Sequence, residues 1–328
     1  MNQIQKMLSL FTITLLLAAC GASETSSLDP GLGLNKTTIS GQVQQGNITG
    51  ATVFIDLNGN GVKDAGEPAA ANPTGADGKF ALSLTTDQVT ALKAAAATAK
   101  IVSVGGTDTT TTLEVGLLAS DLPALTGASA TKNITAMTTL TAMTPDAQKG
   151  ELKNVLGTLG LKDSSGSAND DLLIENATPA VIALCKSVES ALLNVKKSTT
   201  VAADSVAVAQ SAAAEMGKAL AGKTKAELTN TTILADTLST AAGVALSGKK
   251  AKLGLTDTQV VSMVTAINKG CKDVADAVKS QTGGSLSTET HNSNETESEI
   301  MHAAGTDIHN SVDTANAAVE TETHGGGH

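Results

Sequence analysis

The hydrophobic pattern of this 328-residue chain changes period once, near residue 120, and that change fixes the class of fold. Before it, apolar residues come in short runs at 37–43, 51–56, Lys79–Leu84, Lys100–Val104 and 113–118. These runs are rich in β-branched residues, Lys79–Leu84 alternates, and Gly46–Gly50, Ala76-Asp77-Gly78 and Gly105-Gly106 supply turns between them. One Ala-rich helix interrupts the series; Thr85 opens it, with Gln88 placed for a capping box, and it runs to about Thr98. Short strands joined by turns predict a small β-sandwich over 37–120.

After residue 143 the period is that of a helix. Thr144-Pro145 and Thr178-Pro179 each pair an N-cap residue with Pro at the first helical position. Thr224 with Glu227, and Thr256 with Gln259, have capping-box spacing. Val181, Leu184, Cys185, Val188, Leu192 and Val195 share one helix face, and Val260, Val264, Ile267, Cys271, Val274 and Val278 share another. An antiparallel helical bundle over 144–279 follows. Residues 121–143 read as a connector and 280–328 as a disordered acidic tail, so the class is α+β and multidomain. Cys185 and Cys271 both fall on apolar faces, as two buried thiols or as a disulfide between helices; sequence leaves both open. No Cys-x-x-Cys occurs, so they are not a redox motif.

Composition removes several functions. There is no Trp, no Tyr and no Arg, and the formal net charge is −10. Nucleic acid is excluded as a partner, since phosphate neutralisation and base stacking both lack their side chains. Bidentate clamps on carboxylates or phosphates are excluded with the guanidinium. The acidity is uneven: residues 280–328 carry −8, and residues 20–279 only −3.

The first nineteen residues have the form of a secretory signal, with one Lys, an apolar run at 7–17 too short to span a bilayer, and small residues at the end. The junction Leu17-Ala18-Ala19-Cys20-Gly21 resembles the lipobox of bacterial lipoproteins. The resemblance implies cleavage before Cys20, a diacylglyceryl group on its sulfur and an acylated amine, which together anchor the chain stably in a membrane. With no Asp after the Cys, it also implies the outer membrane or cell surface. Residues 20–36 then form a flexible tether.

Between the second and third expected strands lies the segment Asp56-Leu-Asn58-Gly-Asn60-Gly61-Val62-Lys-Asp64-Ala-Gly-Glu67. It fits the twelve-residue calcium loop at every ligand position. Asp56, Asn58 and Asn60 would give side-chain oxygens, Val62 its carbonyl, Asp64 a direct or water-mediated contact, and Glu67 a bidentate carboxylate. Gly61 would make the sharp turn. A hard dication needs many oxygen donors, and three carboxylates with two amides suit a Ca²⁺ Kd on the order of 10⁻⁴–10⁻³ M. The flanks are not two helices, Lys63 replaces the usual aliphatic residue, and no second copy occurs, so the loop stands alone on a β scaffold. Residues 38–118, with Ser40-Gly41-Gln42-Val43, Gly50-Ala51-Thr52-Val53 and Ala76-Asp77-Gly78-Lys79-Phe80, resemble carboxypeptidase-regulatory-like (transthyretin-like) modules. The acidic loop is similar to those of dockerins and of the B repeats of serine-aspartate adhesins. The resemblance implies a β-sandwich spacer or binding module stiffened by calcium, without peptidase activity.

Enzyme chemistry has few places left. All five His lie in 291–328, so the body has no His base, triad or His-ligated metal. Carboxylate-based hydrolysis remains as a remote alternative. In the tail, His302 and His309 would lie about 10 Å apart on a helix, too far for one ion. His324 and His328 are four apart across Gly325–Gly327, a loose candidate chelate for zinc or copper. A weak stripe of Ile300, Ala304, Ile308, Val312, Ala315 and Val319 would suit a docking helix. The expected function is that of a non-enzymatic, lipid-anchored surface protein with a calcium-binding module, working structurally or by adhesion to a protein or cell-surface partner. A transition-metal-binding lipoprotein using the tail is the alternative.

Overall fold

The computed structural model describes residues 36–95, 98–162, 169, 171, 173, 177–198, 202–286, 304–308, 310, 312 and 313. Its strands are β1 (Thr37–Gln44), β2 (Ile48–Thr49), β3 (Thr52–Asp56), β4 (Lys79–Leu84), β5 (Lys100–Val104), β6 (Thr107–Asp108), β7 (Leu117–Asp121), β8 (Ser129–Thr131) and β9 (Ile134–Thr135). Its helices are α1 (Thr86–Ala94), α2 (Ala136–Met143), α3 (Asp146–Thr158), α4 (Pro179–Lys196), α5 (Ala202–Ala221), α6 (Lys225–Leu228), α7 (Thr231–Leu253) and α8 (Asp257–Gln281). The fold is mixed α+β.

β1 pairs antiparallel with β4, Ile39 opposite Leu82, and parallel with β8 and β9. β3, β5 and β7 form a second, wholly antiparallel sheet, with Phe54 opposite Val102 and Val102 opposite Ala119. β2 and β6 make a two-residue ribbon. Ile39, Val43, Leu82 and Leu84 of the first sheet share one apolar core with Val53, Ile55, Ile101 and Leu118 of the second. The second sheet is buried on its other face too, where Phe54, Val102, Leu117 and Ala119 meet Ala142 of α2 and Val206 of α5. Burial on both faces explains the continuous apolar runs of β3, β5 and β7; β4, with one face in solvent, alternates exposed and buried without a break.

Local start signals act as their chemistry dictates. Capping boxes form at Thr85–Gln88, Thr224–Glu227 and Thr256–Gln259, and Thr178 caps α4 ahead of Pro179. The Thr144-Pro145 signal works differently: Thr144 donates its hydroxyl back to the Leu140 carbonyl, ending α2, and α3 starts without a side-chain cap. The strand expected at 113–118 begins instead at Leu117. Residues 107–116 are diverted into a small loop closed by Asp108, whose carboxylate accepts the Thr110 and Thr111 N–H groups, with Thr112 at φ 59°.

Two expectations are corrected. Residues 121–143 are no plain connector: they contain β8, β9 and α2, and seven of the eight residues of α2 are buried. Their Thr hydroxyls bond inward, Thr138 and Thr139 to the Ala119 carbonyl of β7, which hides their polarity from any hydropathy pattern. Nor is the whole tail disordered. Residues 304–308 are helical, and Ala304, Ile308 and Val312 are buried in the helical core. The apolar stripe supplies the burial that composition obscures.

Candidate metal centre

Residues 56–67 leave the end of β3 and return to pair Phe54 with Ala69. Asp56, 1% exposed, anchors the loop. Its Oδ1 accepts the N–H groups of Asn58 and Gly59 at 3.2 and 2.7 Å, and its Oδ2 that of Gly61 at 2.6 Å. Asn58 Oδ1 accepts from the Asn60 N–H, and Asn60 Oδ1 from the Val62 N–H. Glu67, also buried, accepts from the Leu57 N–H at 2.8 Å and the Asp64 N–H at 2.9 Å, closing the loop on itself. The amides of Asn58 and Asn60 both donate to Asp64 Oδ2, at 2.8 and 2.9 Å. All five candidate side-chain ligands are therefore in one turn, and positive φ at Gly59 and Gly61 (78° and 69°) lets the backbone wrap around them.

The loop also leans on a helix far away in sequence. Gln210 of α5 donates to the Gly59 carbonyl, and a Cβ at Gly61 would meet Val206 Cγ1 at 2.5 Å and Leu117 Cδ1 at 2.7 Å. Glycine at 61 is required by conformation and by this close approach together.

The donor set, three carboxylates, two amide oxygens and the Val62 carbonyl, is that of a hard cation. The loop is closed by its own hydrogen bonds, with the Asn58 and Asn60 side-chain amides both donating to the Asp64 carboxylate. Among the described residues no group of three or more His, Cys, Asp or Glu is gathered as a metal cluster. An ion would displace the two amide contacts to Asp64; the buried ends, Asp56 and Glu67, already hold their places.

The thiols are free. Cys185 and Cys271 are both buried and unbridged, so the bridging alternative is not the one adopted. Cys271 donates its S–H to the Ser187 carbonyl at 3.3 Å, whereas Cys185 faces the Ala136 and Met137 backbone from another side of α4. Burial pushes the Cys185 thiol up to about 12 and also raises Cys271, which favours the protonated thiol at both positions. Cys20, His324 and His328 lie outside the described residues. Among the described residues no helix is long and apolar enough to cross a membrane.

One cluster escapes the sequence reading. Lys186 and Glu189 on α4, and Asp108 on β6, have side chains 1% exposed or less. Lys186 Nζ donates to the Gln45 carbonyl, lies 2.8 Å from Glu189 Oε2 and 4.0 Å from Asp108 Oδ2. Its only trace in the sequence is that α4 carries few charges, two of them three residues apart. A lone Lys–Glu pair on a helix reads as a solvated face; burial of α4 on all sides, against α2, α5, α7 and α8 and the β6 loop, makes it something else.

Comparison with protein-family models, with curated proteins and with solved structures gives no significant match.

Proposed function

We propose that the chain is a non-enzymatic, lipid-anchored surface or outer-membrane protein. Its calcium-binding module has the sheet-on-sheet form of a sandwich, its helices form a bundle beside it, and its role is structural or adhesive. The observation that carries this reading is the loop 56–67: a complete set of calcium-ligand residues in register, with its first and last carboxylates buried and its turn braced on α5. Calcium there would tie the end of β3 to α5 and stiffen the junction of sheet and helix. The lipobox resemblance at Leu17–Cys20 supports the anchor.

The test is calcium titration by calorimetry and thermal shift. The expected result is a Kd on the order of 10⁻⁴–10⁻³ M, with a rise in Tm that Glu67→Ala removes. An unchanged Tm at millimolar calcium, or a full response in Glu67→Ala, overturns the assignment.

A further inference from the structure

The Lys186–Glu189–Asp108 cluster is expensive to keep as ions. Taking an ammonium and a carboxylate out of water is costly even when they pair. Glu189 also shares a side-chain hydrogen bond with Asp108, so its carboxyl touches both the ammonium and the second carboxylate. Burial, reinforced by Asp108 and opposed by Lys186, pushes Glu189 up to about 8, so it holds a proton at neutral pH. The remaining pair is then one ammonium and one carboxylate, Nζ and Oδ2 4.0 Å apart, with the Glu189 carboxyl on the ammonium.

We propose that Lys186 and Asp108 condense to an intramolecular amide, a cross-link between α4 and β6, with Glu189 as the proton carrier. Glu189 relays one proton from the ammonium to Asp108, leaving a neutral amine and a carboxylic acid. Nζ attacks Cγ of Asp108, the Nζ–Cγ bond forms and the Cγ–Oδ2 bond breaks. Oδ2 leaves with two protons as water, and Glu189 ends with the proton it began with. Ammonium plus carboxylate becomes amide plus water, so no oxidant or co-reactant is needed.

The surroundings favour this step in three ways. Oδ1, which accepts the Thr110 and Thr111 N–H groups at 2.6 and 3.3 Å, stays in place as the amide oxygen. The leaving Oδ2 gives up one bond, from the Gly46 N–H at 3.1 Å. Condensation removes both buried charges, and a site that excludes water resists the reverse reaction. Burial holds amine and acid side by side, with Nζ and Oδ2 4.0 Å apart, so a small approach of Nζ to Cγ replaces the encounter that free amine and acid need.

Tryptic mapping of the full-length protein decides the matter, because a chain without Arg is cut only after Lys. The expected product is a branched species joining residues 101–132 to residues 163–196, lighter than the two together by one water and uncut at Lys186. Asp108→Ala and Glu189→Ala should each abolish it. Wild-type protein yielding only separate linear peptides, with cleavage after Lys186, overturns the cross-link. A branched peptide that persists in Glu189→Ala overturns the role given to Glu189.

Discussion

At the scale of single residues, the positions that matter most combine a local requirement with a distant one. Gly61 is the clearest. A calcium-type loop requires glycine there for its positive φ, and that requirement is visible in the spacing from Asp56. The second requirement, contact with Val206 and Leu117, comes from α5 and β7 and has no local signature. Gly61→Ala should therefore cost more than the roughly 1 kcal/mol of a strained backbone alone, about 2–4 kcal/mol once overpacking is included. Urea unfolding followed by circular dichroism would measure it, the chain having no Trp or Tyr to report. A loss below about 1 kcal/mol would mean that α5 yields to the loop.

At the scale of elements, periodicity works where one side of an element faces solvent and fails where none does. β4 and α8 keep one exposed face, and their patterns locate them well. α4 is buried throughout, so the apolar stripe of Val181, Leu184 and Cys185 describes only one of its faces and carries no sign that Lys186 and Glu189 are buried too. α2 is missed because its buried Thr residues satisfy their hydroxyls on its own turns and on β7. The segment at 304–313 shows the converse: its composition is that of a solvated tail, yet Ile308 is wholly buried. Ile308→Ala should destabilise the protein by about 2–4 kcal/mol. Denaturant unfolding at fixed pH would show this, and a loss under about 0.5 kcal/mol would place the segment outside the cooperative core.

At the scale of the whole molecule, the sheets and helices lie within one compact unit, Asn35–His328, rather than in two bodies joined by a connector. The outer face of the β3–β5–β7 sheet is covered at Phe54, Val102, Leu117 and Ala119 by Ala142 and Val206, while Thr52 at its edge stays exposed. The buried cluster lies across the same junction, with Asp108 on β6 and Lys186 and Glu189 on α4. Its pH behaviour follows from the sign of the shift. Glu189 is raised from 4.5 to about 8 by burial, so the folded state holds a proton that the unfolded state releases between those values. Stability should fall as pH rises through that window and level off above it. Calorimetry is expected to show one unfolding transition whose Tm drops from pH 5.5 to 8.5, with a flatter profile in Glu189→Gln. An equal slope in that variant would assign the dependence elsewhere.

The sequence by itself determined what depends on neighbours in the chain: the α+β class, the caps at Thr85, Thr178, Thr224 and Thr256, the turn glycines and the spacing of the 56–67 loop. These are settled within a few residues, by hydrogen bonds and φ preferences that distant segments do not alter. Tertiary structure alone decided what depends on a second surface: which sheet is packed on both faces, whether the two thiols are bridged or free, and whether a Lys–Glu pair on a helix meets water or Asp108. The reason is physical, since the cost of burying a charge or a hydroxyl is set by what packs against it, and that partner lies tens of residues away.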